Sequence, residues 1–92
     1  MTSSEFETDD TRPVAARCDD QSCHVELADE REISAPLWWF PFLKMASSVE
    51  RAEIELQFSG IWFPKLDEGL SVKGLLLGWR APGAAAPGIA AE

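Results

Sequence analysis

Glu53-Ile54-Glu55-Leu56-Gln57-Phe58 alternates polar and apolar residues without an error. Side chains alternate across a β-strand, so this period predicts a strand with Ile54, Leu56 and Phe58 inward and the three polar residues outward. Ser59-Gly60 can turn it back into a second strand over Ile61–Phe63. Upstream, Ser47 and Glu50 have the Ser-x-x-Glu spacing of a capping box, which predicts a short helix from near Ser48. Before it lies the densest apolar run, Leu37-Trp38-Trp39-Phe40-Pro41-Phe42-Leu43, where Pro41 suits the first turn of a helix towards Ala46. Further upstream, Val14–Cys18 and Cys23–Leu27 read as strands around the turn-favouring Asp19-Asp20-Gln21-Ser22. Arg31–Ala35 follows as a third strand, ended by Pro36, which cannot donate to a ladder. Downstream, Leu66–Ser71 reads as an extended segment before the last helix. Ser71 caps that helix, Val72, Leu75 and Leu76 share one face, and Gly78 stops it. The order β-β-β-α-β-β-α predicts an α+β domain, a small antiparallel sheet with short helices packed on one side.

The chain has 92 residues and a net charge of −8, which sets one small domain as the ceiling. Residues 1–12 are polar and acidic and lack an apolar rhythm, and Pro82, Gly83, Pro87 and Gly88 interrupt the alanines of 81–92. Both segments are expected to be disordered or flexible, leaving 13–80 as the domain. All four tryptophans and Phe40, Phe42, Phe58 and Phe63 fall inside it, and such rings supply much of the driving force of a domain this small. Half of the net charge lies in the two end segments. A chain of this sign is a poor ligand for nucleic acid or an anionic membrane. No stretch approaches the roughly 18 apolar residues of a membrane span, and the acidic start lacks the pattern of a signal peptide. The expectation is a soluble, cytoplasmic protein.

Candidate chemistry is sparse. Cys18, Cys23 and His24 cannot make a four-ligand metal site alone, and on a strand Cys23 and His24 point to opposite faces. A cytoplasmic setting favours free thiols, with a disulfide across the hairpin mouth or a metal as the alternatives. His24 then reads as a polar residue on the solvated face. Asp67 and Glu68 could act as acid and base or hold a cation, but neighbours on an extended chain diverge, and acids before a helix suit its dipole. No nucleophile–histidine pairing and no Gly-rich phosphate loop is recognisable. No enzymatic activity, cofactor or metal is expected. Three successive residues cannot all enter one core, so at least one ring of Trp38-Trp39-Phe40 lies near the surface. There it either anchors a protein partner or covers a thin core.

Two blocks carry a resemblance. DEREISAPLWWFPFLKMA (29–46) and GIWFPKLDEGLSVKGLLLG (60–78) resemble the small bacterial family catalogued as domain of unknown function 2442. The first block matches the family pattern at Asp29, Arg31, Ile33, Pro36, Leu37, Trp39, Phe40, Pro41 and Leu43. The second matches at Pro64, Leu66, Asp67, Glu68, Ser71, Val72, Gly74, Leu75, Leu76 and Gly78. Phe42, Phe63 and Gly69 depart from it. Glu30 stands where the family usually has a turn glycine, so either the turn changes type or Glu30 costs about 1–2 kcal/mol in a left-handed backbone. The resemblance implies a small α+β fold and no established catalysis. Because relatives resemble modules found beside toxin-like small proteins or fused to a helix-turn-helix, it also implies an antitoxin-like or regulatory role. Any DNA binding would have to come from a partner.

The leading expectation is a non-enzymatic protein-interaction module. Its surface would draw on Trp38, Trp39, Trp62 and Trp79, with acids including Asp67 and Glu68 steering a basic partner. One rival is a small-ligand-binding or catalytic domain built on Asp67, Glu68 and Arg31, which a ligand at 100 times its Kd would reveal by about 2.7 kcal/mol of stabilisation. The other is a self-associating structural protein, a homo-oligomer that light scattering would detect.

Overall fold

A computed structural model describes residues 9–84. The chain first forms an antiparallel meander, sheet A, in the order β1 (Pro13–Cys18), β2 (Ser22–Leu27), β3 (Glu32–Pro36). A helical linker follows: a 3-10 turn over Leu37–Trp39, then α1 (Pro41–Lys44) and α2 (Ser48–Ala52). A second meander, sheet B, holds β4 (Glu55–Gln57), β5 (Gly60–Phe63) and β6 (Glu68–Ser71), and α3 (Val72–Leu77) ends the fold. The architecture is α+β, and the order β-β-β-α-β-β-α is present with one strand added before α3. The antiparallel sheet of the sequence reading is realised as two three-stranded sheets.

Local chemistry accounts for most boundaries. Pro41 occupies the first turn of α1, where a missing N–H costs nothing. The Ser47–Glu50 capping box is complete: the Glu50 N–H donates to Ser47 Oγ (3.1 Å) and the Ser47 N–H to Glu50 Oε1 (2.9 Å). The Gly74 N–H donates to Ser71 Oγ (2.9 Å), which starts α3, and Gly78 at φ +78° ends it in a left-handed cap. In the β2–β3 turn the Leu27 N–H donates to the Arg31 carbonyl and the Glu30 N–H to the Leu27 carbonyl. Glu30 has φ +77°. The turn therefore keeps the left-handed position, and glutamate occupies it in place of glycine.

The core lies between the two meanders. Cys23, Val25, Leu27 and Ala35 enter from sheet A, Leu37, Phe40 and Leu43 from the linker, Ile61, Phe63 and Leu70 from sheet B, and Val72 and Leu75 from α3. Arg51 is buried as well, 8% exposed, with its guanidinium 3.6 Å from Asp20 of the β1–β2 loop. At the inner margins of the expected end segments, the Ala28 N–H donates to the Arg12 carbonyl and the Ala81 N–H to the Trp39 carbonyl, both at 2.9 Å. The rest of those segments, 1–8 and 85–92, lies outside the described residues.

Two readings need correction. The extended segment before the last helix is more than that: Glu68–Ser71 is the third strand of sheet B, with Ile61 opposite Leu70 and Trp62 opposite Gly69. Neither its glycine nor its single large apolar residue signals a strand; pairing with β5 creates it. The run 53–58 is a strand only over Glu55–Gln57, and its apolar side chains are not buried: Leu56 is 47% and Phe58 53% exposed. Alternation assigns a face correctly but does not supply a cover for it.

Candidate functional site

The candidate residues fall into separate places. Trp38 and Trp39 follow β3, and their rings meet edge to face with centroids 6.3 Å apart. Both are half-buried, while Phe40 enters the core. The Arg80 guanidinium stacks on both indoles, 5.0 Å from the Trp38 centroid and 4.8 Å from that of Trp39. This is a cation–π contact to two ring faces, and it holds the segment after α3 against the linker. Trp79, 56% exposed, leans over Gly74, and its ring faces the Lys73 ammonium at 5.9 Å. Trp62 sits apart, on sheet B, with its ring over Gly69, where a Cβ would lie 2.9 Å from the indole. An acid at position 69 would displace this ring.

Asp67 and Glu68 occupy the turn into β6 and its first residue. Asp67 has φ +54°, a left-handed conformation that aspartate tolerates better than most residues, so its backbone forms the turn. Both side chains are exposed. Arg31, the third member of the rival site, is paired instead with Asp29, its Nη2 2.9 Å from Oδ2, in the β2–β3 turn. Among the described residues no group of three His, Cys, Asp or Glu side chains converges as a metal site, and no helix is long and apolar enough to cross a membrane.

The cysteines overturn the free-thiol expectation. Register places Cys18 directly opposite Cys23, with Cα atoms 4.0 Å apart, and the two form a disulfide. Cys23 faces the core and His24 the other side of β2, as alternation requires.

His24 joins a chain of polar groups that the linear reading missed. Asp19 Oδ1 accepts the backbone N–H groups of Gln21 (2.7 Å) and Ser22 (2.8 Å), and Oδ2 lies 3.1 Å from His24 Nε2. Those two backbone bonds, then the contact with His24, pull the Asp19 carboxyl down to a pKa of about 2. An ionised Asp19 can only accept, so Nε2–H donates to it. When the ring is neutral, Nδ1 accepts the Ser34 hydroxyl across 2.7 Å. The connectivity is that of a nucleophile, base and acid, but Asp19 and Ser34 stand exposed on the solvent face of sheet A. Two open grooves lie elsewhere, one lined by Val49, Ala52, Glu53 and Ile54 and the other along β5 and β6. The chain of groups pins the β1–β2 loop to β3. Its signal in the sequence is the strand register, which sets His24 opposite Ser34.

Comparison with known proteins agrees with this fold and assigns no chemistry. A crystal structure of a protein of unknown function from Rhodospirillum rubrum is similar at a TM-score of 0.69 and 26% identity, covering 79% of this chain and 93% of that one. No curated protein matches the chain. The model of the family described as Protein of unknown function (DUF2442) matches residues 13–81, from the start of β1 to the alanine bonded to Trp39. The match spans both meanders and the helices between and after them, and the chain belongs to that family.

Proposed function

We propose that the protein is a non-enzymatic protein-interaction or regulatory module, the antitoxin-like half of a two-protein pair, and that its partner is a small basic protein. The observation that carries this reading is a set of large apolar side chains left exposed on a molecule of net charge −8: Met45, Val49, Leu56, Phe58, Leu77 and Trp79 among them. Apolar anchors set in an acidic surface suit a partner that brings lysine or arginine, which the acidic field draws in before the apolar groups dock.

The test is purification of the tagged full chain from its native lysate at low salt, followed by association kinetics with whatever co-purifies. A stoichiometric basic protein is expected, with an association rate that falls as salt rises. Co-expression should then show whether the chain neutralises that protein's toxicity. A chain that emerges alone defeats the reading, and salt-independent kinetics remove its electrostatic component.

A further inference from the structure

Residues directly opposite in an antiparallel ladder place their side chains on one face. Leu56 is opposite Ile61, and Ile61 is opposite Leu70. All three therefore belong to the core face of sheet B. Ile61 is 2% and Leu70 7% exposed, whereas Leu56 is 47% exposed. The core face thus runs past its cover at β4, which is an edge strand. Ile54 precedes Leu56 by two residues, and Phe58, 53% exposed, lies in the turn that follows β4. At the end of this row, Ile54 and Val49 of α2 line the same open groove of about 480 Å³ with Ala52 and Glu53.

The exposed charges that β4 and its approach themselves carry are acidic. Glu53 and Glu55 alternate with the apolar row and are exposed. The one basic residue between 45 and 58 is Arg51, which is buried and paired with Asp20. Lys65 lies 3.7 Å from Glu53 and offsets only that acid. A second copy of the chain would bring two like-charged edges together. A segment with apolar side chains and lysine or arginine would cover the row and meet the acids.

We infer that the β4 edge, with Val49, Ile54, Leu56 and Phe58, is the docking surface of the module, and that it takes an apolar segment carrying basic side chains. The inference rests on the interaction reading above.

The probe is a displayed library of random peptides selected on the full chain. The enriched peptides should combine apolar residues with Lys or Arg. They should bind the double variant Leu56→Ser/Phe58→Ser about tenfold more weakly or worse, and Ser34→Ala, on the solvent face of sheet A, as well as the parent. Both altered side chains of the double variant are half exposed, so it should melt within a few degrees of the parent. If it does not, Glu53→Gln/Glu55→Gln decides, with affinity lowered about threefold at low salt and unchanged at high salt. Peptides without basic enrichment, equal binding to the parent and the deciding variant, or no enrichment at all would overturn the inference. So would a concentration-dependent dimer of the parent that the double variant abolishes, which would give the edge to a second copy. A native partner captured equally by the double variant removes this surface and leaves the interaction reading intact; no partner for the parent removes the reading itself.

Discussion

Sheet A and sheet B are both three-stranded meanders, and their first strands meet the core differently. In sheet A the inward residues of β1 include Ala16 and Cys18, small side chains that pack against the core, and Cys18 is bonded to Cys23 of the central strand. In sheet B the first strand presents Leu56, a larger side chain that stays 47% exposed although β1 lies against β4. The central strands are alike: β2 buries Cys23, Val25 and Leu27, and β5 buries Ile61 and Phe63. What closes an edge strand is the element packed on it: β6 is also an edge, and its Leu70 is 7% exposed in a core that Val72 and Leu75 of α3 share.

The largest test of that contrast is in the centre of sheet B. Phe63 is fully buried, so Phe63→Ala should cost about 3–5 kcal/mol in urea denaturation. A loss below about 1 kcal/mol would mean that β5 does not anchor the sheet. Next, reducing the Cys18–Cys23 bond should lower the stability of the protein by about 2 kcal/mol, the chain-entropy value for so short a loop. Melting with and without a thiol reductant measures it, and no difference would show that register alone holds the β1–β2 hairpin. Glu30→Gly should then stabilise by about 1 kcal/mol, because glycine relieves the left-handed backbone of the β2–β3 turn at some cost in unfolded-chain entropy. On the open edge, Leu56→Ser should cost less than about 1 kcal/mol, since a half-exposed side chain loses little transfer energy. A cost approaching that of Phe63→Ala would show that β4 is covered in solution.

The last prediction concerns a shape with pH. Asp19 has its pKa lowered from 3.8 to about 2, so its charge stabilises the folded state fully above the unfolded value, and the contribution is lost as pH falls through the folded one. Asp19→Asn keeps an oxygen to accept the Gln21 and Ser22 N–H groups but removes the charge. The stability gap between parent and variant should be constant above about pH 5 and close between pH 4 and 2. A constant gap across that window would place the stabilisation in the hydrogen bonds alone.

Much of the local structure was legible because its causes are local. Ser47 and Glu50, Ser71 and Gly78, and Pro41 each act within four residues, and each ends or starts a helix where the spacing places it. Less of the candidate site was legible. The Asp19–His24–Ser34 chain needs β3 laid beside β2, and the disulfide needs Cys18 opposite Cys23, which spacing permitted without requiring. The placement of Arg80 between Trp38 and Trp39 joins residues about forty positions apart.

By itself, the sequence determined the fold class, the order of every element but β6, the helix caps and the inward face of the strands it assigned, because backbone geometry and capping hydrogen bonds act over a few residues. Only the tertiary structure decided that the strands divide into two sheets, that Glu68–Ser71 becomes the sixth strand, and that Leu56 on β4 and Phe58 in the turn after it are left half exposed. Burial is a property of what lies opposite a residue, and that neighbour comes from a distant part of the chain.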